Sequence, residues 1–250
     1  DWSSDVCSSD LMKRMIVNAD DFGFSEAVNH GILKAMLEGI VTLTSIMANM
    51  PGFAHAVQLY HEHPDMAVGV HLNLTCYRPL LSTHQTLVTE TGYFHKQDDV
   101  AGYSESEMYE ELKAQIDCVL AHGIRIDHLD SHHHIHTTQK LQKVMEKLNK
   151  EYALPFRGGF AYPVSFPHAQ LCMDFYDSGV SLSALEAVCA NISDHEVTDL
   201  MCHPAYIDQF LYETTSYSWK RMKELEILCS EEAAALLQRY QIQLCTYKEV

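Results

Sequence analysis

The chain has 250 residues, 47% of them hydrophobic and 20% charged, enough to build a core and unlike a disordered chain. Seventeen Lys and Arg against 34 Asp and Glu leave a formal charge of −17, which repels phosphate backbones and argues against nucleic acid or anionic membrane as a partner. No apolar run approaches the roughly 18 residues of a membrane span, and 11 Gly with 7 Pro exclude collagen-like or linker-rich architecture.

The first eleven residues, DWSSDVCSSDL, are polar and aperiodic and precede Met12. They read as foreign to the domain, an assembly artefact or a disordered tail, so the domain is expected over residues 12–250. The first strand is residues 14–18 (RMIVN). Residues 25–38 have apolar positions at helical spacing, with Ser25 as N-cap and Gly39 as stop. Strands follow at 41–47 and 66–74, separated by a short helix at 53–61. Residues 75–103 form the one long irregular segment, of a length that is usually functional or disordered. A helix at 104–121, a strand at 124–129 and a basic amphipathic helix at 137–150 come next. Two weaker strand–helix units lie around 154–158 and 179–190. A strand at 199–202, helices at 217–228 and 231–240, and a strand at 242–246 complete the chain. This alternation predicts an α/β fold with a parallel sheet covered by helices, and at this length a closed or distorted (β/α) barrel.

Eight cysteines are scattered, with no CxxC, and most sit in apolar stretches such as DCVL, AVCA and IQLC. They read as buried free thiols in a reducing compartment. With no secretory leader pattern visible, the expected location is the cytoplasm.

Polar residues collect directly after the predicted strands: Asp20 and Asp21, His71 and Asn73, Asp130 to His136, Arg157, and His203. In parallel α/β folds the carboxyl ends of the strands open on one face, so these clusters should converge. Each alone has an ordinary explanation. Paired acids often mark only a turn or a helix N-terminus. A His-rich tract can be a tag or surface scavenger, although this one follows a strand in mid-chain. His71 and His203 would each be a satisfied histidine. Their common position relative to the strands is what argues for a site. In an extended segment Asp20 and Asp21 point opposite ways, one to a metal and one to a substrate. An Asp with two His suits a divalent metal that activates water. Imidazole favours Zn²⁺ or its neighbours such as Co²⁺, while carboxylate and water also suit Mg²⁺ or Mn²⁺. Nine histidines outside these clusters (His30, His55, His61, His63, His84, His95, His122, His168 and His195) read as helix or loop surface residues.

Five segments together resemble the YdjC-like carbohydrate deacetylases, which include chitooligosaccharide deacetylases: IVNADDFG (16–23), GVHLNLT (69–75), HLDSHHHIH (128–136), PFR (155–157) and MCHP (201–204). They occur in the family's order, and NADDFG with HLDSHHHxH is a specific signature. The resemblance implies a distorted (β/α) barrel similar to polysaccharide deacetylases. It implies one divalent metal ion, Mg²⁺ in the family, on Asp21, His71 and His132. It implies Asp20 as general base, His203 as general acid and Arg157 orienting Asp20. His136 would support metal or substrate, and Tyr77, Phe94 and Tyr103 in the long segment would either stack on sugar rings or pin the loop. The implied reaction removes N-acetyl groups from amino sugars, with a short acetylated chitooligosaccharide as the partner. Two alternatives stay open: another metal-dependent hydrolase on this scaffold, such as a phosphoesterase, and a non-catalytic carbohydrate- or metal-binding protein. The oligomeric state is open as well, a homodimer included.

Overall fold

The computed structural model describes residues 13–193 and 195–250, so the reading of the first eleven residues, and Cys7 within them, lies outside the described part. The strands are β1 (Lys13–Phe22), β2 (Leu43–Ile46), β3 (Val68–Leu72), β4 (Ile126–Ser131), β5 (Phe156–Arg157), β6 (His168–Cys172), β7 (Val197–Cys202) and β8 (Ile242–Leu244). The helices are α1 (Glu26–Glu38), α2 (Phe53–Glu62), α3 (Glu105–Ala121), α4 (Gln142–Tyr152), α5 (Leu182–Asn191), α6 (Gln209–Thr214), α7 (Trp219–Leu228) and α8 (Glu231–Arg239).

Strands β1 to β7 pair in sequence order, all parallel, and β1 pairs with both β2 and β7. The sheet therefore closes into a seven-stranded barrel, with β8 added alongside the first residues of β1. The barrel is distorted where β5 has only two residues and meets β4 through the single pair Leu129 and Phe156. Helix starts follow capping chemistry: Ser25, Ser181, Asp208 and Ser230 each accept from a backbone N–H in the first turn of α1, α5, α6 and α8. Gly39 ends α1 as expected.

Alternation along the strands sorts side chains between two environments. Met15, Val17 and Ala19 of β1 face the large apolar layer between barrel and helices. Ile16 packs instead with Leu43, Ala169, Val197, Cys245 and Tyr247, a small apolar plug inside the barrel. Beyond that plug the interior is polar. The Tyr247 ring stacks on His128 at 4.1 Å, and Asn18 Nδ2 lies 3.0 Å from His128 Nε2. Gly69 makes room for this: a Cβ there would stand 2.2 Å from the His128 ring.

The expectation for residues 179–190 needs correcting, because that unit contributes only α5. Its strand is β6, whose residues HAQLC lack an apolar alternation. The short α6 was also not anticipated. The segment 75–103 is not structureless: it holds an antiparallel bridge between Val88 and Phe94 and a 3₁₀ turn over Gln97–Gly102. All seven described cysteines are free thiols, but only Cys189, Cys202 and Cys245 are fully buried. Among the described residues no helix is long and apolar enough to cross a membrane.

Candidate active site

The carboxyl ends of the strands bring six of the expected residues into one site. Asp20 and Asp21 come from β1, His71 from β3, His132 from the turn after β4, Arg157 from β5 and His203 from the end of β7. All except Arg157 line a cavity of about 240 Å³, together with Gln97, His133, His134, Met173, Tyr176, Tyr217 and Arg221.

The two adjacent acids do not point opposite ways. The register of β1 slips between Ala19 and Phe22, and Asp21 adopts a left-handed φ of 74°. This bulge re-aims Asp21 so that both carboxylates approach one imidazole: Asp21 Oδ1 is 3.5 Å and Asp20 Oδ2 4.0 Å from His71 Nε2. A left-handed conformation is strained for a non-glycine residue, and such strain clusters at functional sites. His133 and His134 are also left-handed, so the histidine tract turns back over the barrel mouth.

Asp21, His71 and His132 offer ligand atoms within 4.8 Å of one another. His132 Nδ1 stands 3.0 Å from Asp21 Oδ1, and neighbouring donors on a small divalent ion with bonds of about 2.1 Å would be about that far apart. The Nδ1 of His71 faces Asp130 Oδ1 at 2.8 Å, which turns Nε2 towards the cavity. Carboxylate support of this kind orients metal-binding imidazoles. A second grouping, Asp20, His71 and Asp130, shares the same imidazole. It suits a metal less well, because Arg157 already sits on both of its acids. The charges point the same way. Four buried carboxylates, Asp20, Asp21, Asp130 and Asp199, face two buried guanidiniums, Arg157 and Arg221. With Glu224 as a further buried carboxyl beside them, acids outnumber guanidiniums in the site, an excess of negative charge that a cation would offset. His71 feels the excess: burial disfavours its charged form, yet Asp130, Asp20 and Asp21 outweigh burial and push its pKa up to about 9. The donor set therefore fits a divalent ion.

Arg157 is fully buried and organises the floor of the site. Its NH1 and NH2 donate to the two oxygens of Asp20 at 2.7 Å each, and its Nε donates to Asp199 at 2.9 Å. Tyr247 donates to the same Asp199 oxygen at 2.6 Å. Asp130 accepts from Ser45 at 2.9 Å and from Asn18 at 3.2 Å. Burial alone would raise the carboxyl of Asp130, but His71 and Arg157 hold it well below the usual range. Asp21 likewise is held low against burial, by Arg221 at 2.7 Å and by His132. His203 Nε2 lies 3.9 Å from Asp20 Oδ2, both facing the cavity. Burial, reinforced by Arg221, pushes the His203 imidazole well below its ordinary pKa.

The structure does not bring His136, Tyr77 or Phe94 to the cavity lining. His136 is fully buried, with Nδ1 2.6 Å from Ser131 Oγ and Nε2 3.2 Å from the Gly158 carbonyl, so both ring nitrogens are engaged in holding the turn. Tyr77 packs on Tyr93 and Phe210, and Phe94 and Tyr103 are core residues, the Tyr103 hydroxyl donating to the Leu74 carbonyl. These aromatics pin the segment, and Gln97 is its residue in the cavity. His84, read as a surface residue, is buried against Glu111.

Sequence reasoning placed Asp130 in a strand-end cluster without giving it a role, and missed Asp199 and the contribution of α7. Tyr217, Arg221 and Glu224 recur at helical spacing on one side of that helix and its approach: Tyr217 lines the cavity, Arg221 pairs with Asp21, and Glu224 lies beneath His203. The signal available was a buried polar stripe on an amphipathic helix, which reads equally well as a solvated face.

The profile of the YdjC-like proteins matches residues 14–239, and the chain belongs to that family. It is 39% identical over 237 residues to a carbohydrate deacetylase of Geobacillus stearothermophilus, covering 94% of this chain and 96% of that one. A carbohydrate deacetylase of Vibrio parahaemolyticus is 36% identical over 239 residues, covering 94% and 95%. A crystal structure from Enterococcus faecalis, of a protein assigned to cellobiose-phosphate cleavage, superposes with a TM-score of 0.91 at 33% identity, over 95% of this chain and 98% of that one.

Proposed function

We propose that the protein is a carbohydrate N-deacetylase, a hydrolase that removes acetyl groups from amino sugars, acting on short chitooligosaccharides. The observation that carries this reading is the convergence of Asp21, His71 and His132 with an Arg157-held Asp20 and with His203 in one small cavity. The deacetylase relatives over most of the chain support it. Asp21, His71 and His132 would hold the divalent ion, Mg²⁺ by family resemblance, which supplies Lewis acidity to water and to an acetamide carbonyl. Asp20 accepts the proton of the attacking water, and Arg157 fixes both of its oxygens so that the base cannot swing away. His203 is held neutral by burial and Arg221, so the proton it hands to the departing amine is the one Asp20 has taken from water and passes across to it. Tyr176 and Tyr217, stacked at 4.4 Å, offer an aromatic wall to the apolar face of a sugar ring. The free thiols support a reducing, cytoplasmic setting.

The test is acetate release from a panel of N-acetylated chitooligosaccharides and phosphorylated disaccharides, with and without chelator. Acetate release that chelation abolishes and added divalent metal restores is expected. Phosphate release without acetate would make the protein a phosphoesterase. Saturable sugar binding with neither product would make it a binding protein.

A further inference from the structure

Glu224 is fully buried on α7, yet the reaction outlined above gives it no task. A carboxylate is an acceptor only, and burying one is unfavourable unless donors meet both oxygens. Here they come from two different elements. Oε2 accepts from the backbone N–H of His203, at the end of β7, and Oε1 accepts from the hydroxyl of Tyr217, just before α7. These two residues are neighbours in the cavity wall: the His203 and Tyr217 rings lie 5.6 Å apart, and Tyr176 closes the cluster at 5.5 Å from His203 and 4.4 Å from Tyr217. An apolar residue would fill the space beneath this wall more favourably but would tie nothing together.

We propose that Glu224 is a positioning residue, a clamp that joins the end of β7 to the approach of α7 and so fixes His203 and Tyr217 relative to Asp20. The proposal rests on the reading of His203 as general acid. The His203 Nδ1 has no hydrogen-bond partner among the described residues, and none of them orients the ring through its second nitrogen in the usual way. Its direction is set by its backbone, which Glu224 holds, and by the aromatic rings packed against it. The environment of Glu224 agrees with a strained but retained group. Burial pushes its pKa up to about 7, against the opposing hydrogen bonds from Tyr217 and His203 and the charge of Arg221 on the same helix, while Asp20 across the wall adds to the rise.

Two variants of the full-length, metal-loaded protein test the clamp. Glu224→Met keeps the length of the side chain and removes both acceptors, whereas the amide of a glutamine would still accept from the His203 N–H and donate to the Tyr217 oxygen. Tyr217→Phe keeps the aromatic wall and removes only the donor. Each should lower kcat by roughly tenfold, because displacement of a reacting group by a fraction of an ångström to 1 Å costs up to about 10²-fold. KM should stay within about twofold, and calorimetric metal affinity should be unchanged. The double variant should be little worse than Glu224→Met alone, since that change already removes the link to Tyr217. The imidazole ¹H–¹⁵N signal of His203, assigned as the one lost in His203→Asn, should shift in both single variants. The proposal is overturned if kcat stays within about twofold of wild type, if metal affinity falls in step with kcat, or if the His203 signal does not move. If Glu224→Met fails to fold, Tyr217→Phe decides by the same measurements. If the wild type releases no acetate from any N-acetylated sugar, the deacetylase reading fails, and the His203 signal in the two variants still decides the clamp.

Discussion

Exchanging either of the adjacent acids for its amide separates their two tasks. In Asp20→Asn the side chain keeps its shape and its place over Arg157, but an amide cannot take a proton from water. General-base removal costs about 10²–10⁴-fold in rate, roughly 2.7–5.4 kcal/mol in the barrier. The fold should tolerate the change. Asp20 accepts two hydrogen bonds from Arg157 at 2.7 Å, and the amide can accept one, a loss of about 1.5–3 kcal/mol for a bond to a charged group. Arg157 keeps Asp199 at 2.9 Å and Asp130 at 3.1 Å, so its charge stays compensated. In Asp21→Asn the loss falls elsewhere, on the partner of Arg221 and on the carboxylate shared by His71 and His132. That variant should bind divalent metal more weakly and lose turnover in proportion to metal content. The assay is metal content by mass spectrometry beside kcat for acetate release, at saturating and limiting metal. The reasoning is refuted if Asp20→Asn loses its metal, or keeps kcat within about tenfold of wild type with the metal bound.

Gly69→Ala should destabilise the barrel by about 1–3 kcal/mol, because the new methyl would stand 2.2 Å from a His128 ring held by Asn18 and Tyr247; a urea midpoint equal to wild type would contradict this. Glu224 should leave a mark on stability against pH. Its folded pKa of about 7 lies above the ordinary 4.5, so its contribution is full below about pH 4.5 and is lost as pH rises through about 7. The span corresponds to about 3 kcal/mol at ~1.36 kcal/mol per unit. Wild type minus Glu224→Gln, measured by chemical denaturation from pH 4.5 to 8, should show that downward slope, and a flat difference would remove it.

Much of the site was legible in the sequence because a strand puts every second side chain on the same face. Asn18 with Asp20, Gly69 with His71 and His128 with Asp130 are such pairs, and strand ends in a parallel fold share one mouth. Strand–helix alternation likewise made the barrel readable, and β6 escaped because its half-exposed HAQLC has no apolar rhythm. Three things were decided only by tertiary structure. The bulge at Asp21 turned two neighbouring acids to one imidazole, against the alternation a regular strand imposes. The left-handed turn of the histidine tract engaged both ring nitrogens of His136 in holding its own loop, where sequence alone made it a candidate ligand. Closure of the chain brought Arg221 to Asp21 across 200 residues and Glu224 beneath His203. Local periodicity reports which way a side chain faces. Which charge it meets there depends on the partner element, and a buried carboxylate and guanidinium are written in a sequence in the same letters as a solvated pair.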